Sequence, residues 1–426
     1  MEYKKEIIEN TKIGEKYIRI KHPSGCTVCL YPMKGYSSAY VMFGTDYGSM
    51  DNVFKTDEDE DFITVPDGIA HYLEHKLFES DECNAWAEFA KTGANVNAFT
   101  SYDRTVYVFS CTQKFEENLD MLLKFVQSPY FTDENVEKER EIINQEIAMG
   151  RDDPGRRMFM NGYEAVYHNN PMRIDVVGSA ESIAKINKDL LYRCYNAFYD
   201  LNNMVLCIAG SFDVDKALEI CDRLLIPSKN NKLERKVFDE PYEVKEKSIT
   251  VKLPCSRPMF CIMYKFPPMS PQEAGKAYIV YQIMLETCLG CTSSFYTEMH
   301  EQGLLNDYFN MGTTYCRGSF LCIIDGESKE PFILKEKISQ ELKRLRTDLP
   351  NKEHFENIKK SFYGGLLYSY ENVSSNANSM FSAELLDRSI FDSIDTVSDL
   401  TYEDILEALN SFDIDNCSIS VVEPVE

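Results

Sequence analysis

The chain of 426 residues carries 45 lysines and arginines against 69 aspartates and glutamates, a formal charge of −24, and 44% of it is hydrophobic. The length exceeds one typical domain and the apolar content suffices for packed cores, which excludes disorder as the default. The charge argues against nucleic acid and anionic membrane as partners, because binding either depends on cations that replace counterions.

The opening residues, Met1-Glu2-Tyr3-Lys4-Lys5-Glu6, lack the apolar core of a signal peptide. No later run reaches the roughly 18 apolar residues of a membrane span. A soluble, unsecreted, cytoplasmic chain is expected. Its fourteen cysteines are scattered through core-like segments, including Cys111, Cys207, Cys261 and Cys322, and read as reduced core thiols. Cys26/Cys29 and Cys288/Cys291 have metal-ligand spacing. Cys26–Leu30 reads as strand, however, where positions i and i+3 point to opposite faces, which disfavours a four-cysteine zinc site.

Tyr17–Leu30 and Ser38–Tyr47 read as strands. Asp67–Phe78, Ala85–Lys91, Phe115–Val126 and Asp133–Met149 have helical period, and Thr105–Cys111 and Met204–Ala209 are again strand-like. From Ile226 to Lys247 the apolar period breaks into Pro227, Ser228, Asn230, Asn231, Pro241 and mixed charges, the texture of a linker. Strands resume at Ser248–Leu253 and Met259–Lys265. Ser182-Ile183 followed by Asp189-Leu190-Leu191-Tyr192 is echoed by Ser393-Ile394 followed by Asp399-Leu400-Thr401-Tyr402. The echo implies two copies of one α/β unit. The expected division is 1–226, a linker at 227–247, and 248–426.

Among only six histidines, two stand four apart in His71-Tyr72-Leu73-Glu74-His75. On a helix both imidazoles share a face and Glu74 lies beside them, the inverted H-x-x-E-H pattern. Composition alone produces this spacing in roughly one such chain in a hundred, so the neighbourhood has to decide. Asp67-Gly68 offers an N-cap, and Ile69, Leu73 and Leu77 form an apolar stripe on another side. An exposed helix with a Glu–His pair, or two satisfied core histidines, would show the same spacing.

A catalytic zinc site needs a third protein ligand. On the helix Asp133–Met149, with Val136, Ile143 and Ile147 marking its stripe, Glu139 and Glu146 fall where apolar residues would continue it. Buried carboxylates are rare without a cation, although a narrower stripe would leave both solvated.

His71, Glu74 and His75 followed by Glu139-Arg140 and Glu146, with Gly93–Thr100 similar to a substrate-edge segment, resemble the pitrilysin/insulinase family of zinc peptidases, above all its short bacterial members. The resemblance covers nearly the whole chain. It implies an α+β fold of two homologous α/β sandwich units, each a mostly antiparallel sheet with helices packed on one face, the first catalytic and the second not. It further implies one zinc per chain held by His71, His75 and Glu146, Glu139 supporting the ligands, and Glu74 as base to a metal-activated water. Asn97, Ala98, Phe99 and Thr100 would bind an extended peptide as an added strand.

The family's arginine and, seven residues on, tyrosine are not matched. His300 stands where arginine would be, and Tyr308 is only approximately placed as a substrate contact. No second H-x-x-E-H occurs, so the second copy reads as a chamber wall. A closed chamber in this family takes four such units, which implies a homodimer or a heterodimer with a similar, possibly inactive, chain. The leading reading is a zinc endopeptidase acting on peptides or unfolded segments. The alternatives are a catalytically silent peptide-binding or assembly subunit, and a metal-dependent hydrolase of another bond.

Overall fold

A computed structural model describes residues 4–78 and 85–425. The first half runs through β1 (Lys5–Asn10), β2 (Glu15–Lys21), β3 (Thr27–Pro32), β4 (Ala39–Thr45), β5 (Val53–Thr56), β6 (Ile63–Thr64), α1 (Ile69–Leu77), α2 (Ala85–Thr92), β7 (Asn95–Thr100) and β8 (Thr105–Cys111). It continues with α3 (Phe115–Val126), α4 (Asp133–Asp152), α5 (Pro154–Val166), α6 (Ala180–Ile183), α7 (Lys188–Phe198), β9 (Met204–Gly210), α8 (Val214–Leu224) and β10 (Leu233–Arg235). The second half comprises β11 (Ser248–Leu253), β12 (Met259–Lys265), α9 (Pro271–Leu289), α10 (Ser294–Glu301), β13 (Phe309–Cys316) and β14 (Ser319–Glu327). After these come α11 (Pro331–Arg344), α12 (Lys352–Ser369), α13 (Val373–Leu385), α14 (Asp392–Asp399), α15 (Tyr402–Ser411) and β15 (Cys417–Pro424). The stretch read as one strand over Tyr17–Leu30 is two, β2 and β3. Pro23 interrupts it, and Gly25 turns the chain at φ +99°.

The first main sheet has the order β1-β2-β3-β9-β4-β8-β7 and the second β11-β15-β12-β14-β13. Each is antiparallel except for one parallel pair, β3 with β9 and β11 with β15. Matching β3, β9, β4, β8 and β7 to β11, β15, β12, β14 and β13 reproduces one topology twice. The echo motifs fall on α6–α7 and α14–α15, ahead of the matched strands β9 and β15. The duplicated α/β architecture is as expected.

The two compact units are interleaved rather than consecutive. One comprises the chain up to Ile147 with Asp175–Val237 and Leu367–Phe391; the other comprises Ala148–Ile174, Phe238–Leu366 and the chain from Asp392. The core of the first unit gathers Val28, Leu30, Val41, Phe43 and Phe109 of the sheet with Leu73 of α1 and Leu122 of α3. The opposite face of that sheet is covered by α13, a helix from late in the chain. A Cβ added at Gly44 would lie 2.7 Å from the Phe381 ring, and one at Gly210 would lie 2.8 Å from Val373. Arg19 Nη2 also reaches Glu384 Oε2 at 2.9 Å.

In the second unit α5, from early in the chain, takes the matching place, and a Cβ at Gly162 would lie 2.7 Å from the Met263 methyl. Helices therefore lie on both sheet faces, and the second face is roofed by the counterpart helix of the other half. The expected linker is correspondingly engaged. Its β10 pairs with β5 in the first unit, while Glu240 binds Lys265 at 2.7 Å in the second.

Candidate metal centre

Helix α1 is short and almost wholly buried. It begins at Gly68, where φ is +88° and a Cβ would lie 2.5 Å from the Val177 carbonyl oxygen. Gly178 returns the constraint, since a Cβ there would lie 2.5 Å from the Asp67 carbonyl oxygen. Ser182 Oγ donates to that same carbonyl at 2.8 Å. Only glycines permit so close an approach. Asp67 does not cap the helix as expected; its carboxylate accepts from Asn52 Nδ2 at 2.7 Å. Ile69, Leu73 and Leu77 enter the core, which brings His71, Glu74 and His75 together on another side.

Helix α4 meets α1 through the Tyr72 hydroxyl, which donates to the Val136 carbonyl. Its buried residues are Val136, Glu139, Ile143 and Ile147, so Glu139 does sit in the apolar stripe, at 7% exposure. Glu146 is half-buried beside it. Glu146 Oε2 lies 3.6 Å from His71 Nε2 and 3.6 Å from His75 Nε2. Among the described residues this trio alone groups metal-ligating atoms, all within 4.8 Å of one another. Two atoms bonded to one tetrahedral zinc lie about 3.3–3.5 Å apart, so the donor set and spacing fit that ion. Glu139 Oε1 accepts from His75 Nδ1 at 2.9 Å and thereby leaves Nε2 facing the trio.

Lys76 is a component the sequence reading missed. Its side chain is fully buried, with Nζ 3.8 Å from Glu139 Oε2. A lysine next to a motif histidine reads as surface, and only the near-complete burial of the helix reveals its role. Burial disfavours charge on Glu139, yet the His75 bond and the His75 and Lys76 charges hold its carboxyl below the ordinary range. Burial likewise opposes a charged His75, but its bond to Glu139 and the Glu74, Glu139 and Glu146 carboxylates raise its proton affinity. The same negative surroundings favour a metal cation. Burial pushes Glu74 upward, against a hydrogen bond from Thr100 and the His75 charge. Glu74 is 8% exposed, and Thr100 Oγ1 donates to its Oε2 at 2.6 Å.

Thr100 ends β7, an edge strand that among the described residues pairs only with β8, and α1 packs against both strands. Asn97 and Phe99 are exposed on β7, Ala98 and Thr100 partly so. Tyr308 lies in the second unit at 67% exposure. His300, also there, stacks on Tyr296 and lies 3.9 Å from Asp307. The described cysteines are free thiols, and Cys26 directs its sulfur to the Met204 carbonyl at 3.4 Å rather than into a metal cluster.

A duplicated α/β sandwich with one inverted histidine motif, completed by a carboxylate from a neighbouring helix, defines the class of two-unit metallopeptidase folds. Within that class the chain belongs to the insulinase family, peptidase family M16. The family model matches residues 64–180, and the model described as the peptidase M16 inactive domain matches residues 185–362. A Bacillus subtilis protein described as the uncharacterized zinc protease YmfH is 36% identical over 93% of this chain and 94% of its own. An M16-like peptidase from Alicyclobacillus acidocaldarius has a TM-score of 0.90 at 31% identity, covering 100% of this chain and 99% of that one. Pitrilysin shares the fold at a TM-score of 0.77 and 16% identity, with 99% of this chain matching 47% of pitrilysin. Among the described residues no helix is long and apolar enough to cross a membrane.

Proposed function

We propose that the chain is a zinc-dependent endopeptidase that cleaves peptides or unfolded segments bound as an added strand on β7. The convergence of His71, His75 and Glu146 beside a buried Glu74 carries this reading. These two rings and one carboxylate would hold one zinc. Bound zinc would supply a water of lowered pKa and a polarised scissile carbonyl. Glu139 orients His75 and keeps its Nε2 free for the ion. Glu74 takes the water's proton on one carboxylate oxygen and returns it to the departing amine. The outer edge of β7 over Asn97–Thr100, where the Ala98 amide donates to Asn97 Oδ1 at 2.9 Å, would offer a peptide backbone hydrogen bonds with little demand on its side chains.

A chamber built from this chain takes a second chain of similar size, another copy or an inactive relative. This chain matches 47% of the longer pitrilysin chain, and a Caenorhabditis elegans relative, 28% identical over 37% of this chain and 35% of its own, is described as the beta subunit of mitochondrial-processing peptidase. The decisive experiment combines zinc analysis with cleavage of a quenched peptide library by the chain and by Glu74→Gln. One zinc per chain and cleavage abolished in Glu74→Gln support the peptidase. A zinc-free protein, or a fully active Glu74→Gln, refutes it, and zinc binding with cleavage only after a second chain is added identifies a heteromer.

A further inference from the structure

We propose that Thr100 is the positioning residue of the base, holding the Glu74 carboxylate in its proton-accepting orientation and tying it to the strand on which a peptide would lie. The inference deepens the peptidase reading and rests on it.

Proton accounting carries the argument. Thr105 Oγ1 donates to the Tyr47 carbonyl at 2.9 Å, which uses its only proton. The 3.4 Å contact between the Thr100 and Thr105 hydroxyls could therefore be donated by Thr100 alone. Thr100 also has only one proton, and Glu74 Oε2 accepts it at 2.6 Å. A short bond to a carboxylate outcompetes a long one to a neutral hydroxyl. One Glu74 oxygen is thus committed to the strand, and the other is left to accept a proton.

The anchor beneath this bond is rigid. Thr100 and Thr105 are register partners at the end of the β7–β8 pair, and Thr105 is fully buried. Tyr107 on β8 bonds Tyr199 hydroxyl to hydroxyl at 3.0 Å inside the core. A threonine could occupy this edge position as a good strand former alone, but valine would serve that purpose equally. The hydroxyl is what the site uses.

The test compares the full chain with Thr100→Val, Thr100→Ser and Glu74→Gln. Thr100→Val is expected to lower kcat roughly ten- to a hundredfold, with KM within about twofold and zinc still stoichiometric. Thr100→Ser should restore kcat to within about threefold of the parent. In zinc-free protein with 13C-labelled glutamate, the carboxyl signal missing from Glu74→Gln should move in Thr100→Val and stay in place in Thr100→Ser. An unchanged kcat in Thr100→Val, or a loss that serine does not rescue, overturns the proposal. A Glu74→Gln variant as active as the parent overturns the peptidase reading instead, and the carboxyl signal then still decides whether Thr100 holds Glu74.

Discussion

At the scale of single residues, Glu139 divides its two oxygens between a ring it orients and an ammonium it neutralises, His75 at 2.9 Å and Lys76 at 3.8 Å. Removing it should act twice. Glu139→Ala is expected to weaken zinc binding roughly 10- to 100-fold, the usual cost of losing a group that orients a metal ligand. It should also lower thermal stability, because the buried Lys76 loses the Glu139 carboxylate 3.8 Å from its Nζ. Glu146→Ala should lose stoichiometric zinc outright while Glu74→Gln retains it. Competition with a chromophoric chelator measures all three, and equal retention by Glu146→Ala and Glu74→Gln would remove Glu146 as a ligand. Glu139 was legible in the sequence because a carboxylate interrupts an apolar stripe. Lys76 was not, because nothing local distinguishes a buried lysine from a solvated one. Thr100 was legible as part of the edge segment, but its bond to Glu74 joins residues 26 apart and exists only once β7 lies beside α1.

At the scale of elements, the entry to α1 depends on glycines more than on any cap. Gly68→Ala places a Cβ against the Val177 carbonyl at a positive φ. A loss of about 1–3 kcal/mol is expected in chemical denaturation, together with weaker zinc binding, because the helix would have to back away from the 175–178 turn. A stable variant with unchanged zinc affinity would show that the close approach is dispensable. The exchanged helix α5 is pinned at its C-terminal end, where Lys265 Nζ donates to the Val166 carbonyl at 3.1 Å and to Glu240. Glu240 also accepts from the amides of His168, Asn169 and Asn170. Burial works against the Glu240 carboxylate, but Lys265 and these amides hold its pKa below the ordinary range. A carboxyl depressed by folding contributes stability that is present above its unfolded pKa and is lost as pH falls through the folded value. Glu240→Gln should therefore be less stable at neutral pH and show a shallower acid-induced loss than the parent, measured by denaturant midpoints from pH 7 to pH 3. Parallel curves would exclude Glu240 from the acid transition.

At the scale of the whole molecule, the echo of Ser182-Ile183 and Asp189–Tyr192 in Ser393-Ile394 and Asp399–Tyr402 made the duplication readable but not the exchange. The run Val373–Leu385 folds as a helix, and no local feature states which sheet it will cover. Gly44 and Gly210 carry that information only as clearances, 2.7 Å to Phe381 and 2.8 Å to Val373. A fragment ending at residue 237 would leave one face of its sheet bare, with Cys29, Met42 and Cys207 newly exposed. Such a fragment is expected to be aggregation-prone and to bind zinc weakly, and co-expression with residues 238–426 should restore both solubility and zinc. A well-behaved 1–237 fragment with parental zinc affinity would show that α13 is dispensable.

The roof of the first unit's sheet is thus encoded roughly 160 to 350 residues after the strands it covers. A ribosome adding roughly 5–20 residues per second takes from about ten seconds to about a minute to bridge that interval. During that time the nascent first half has its histidines and carboxylates but not its final shape. If the proposed cleavage chemistry needs the completed unit, hydrolytic capacity is withheld until α13 has been added.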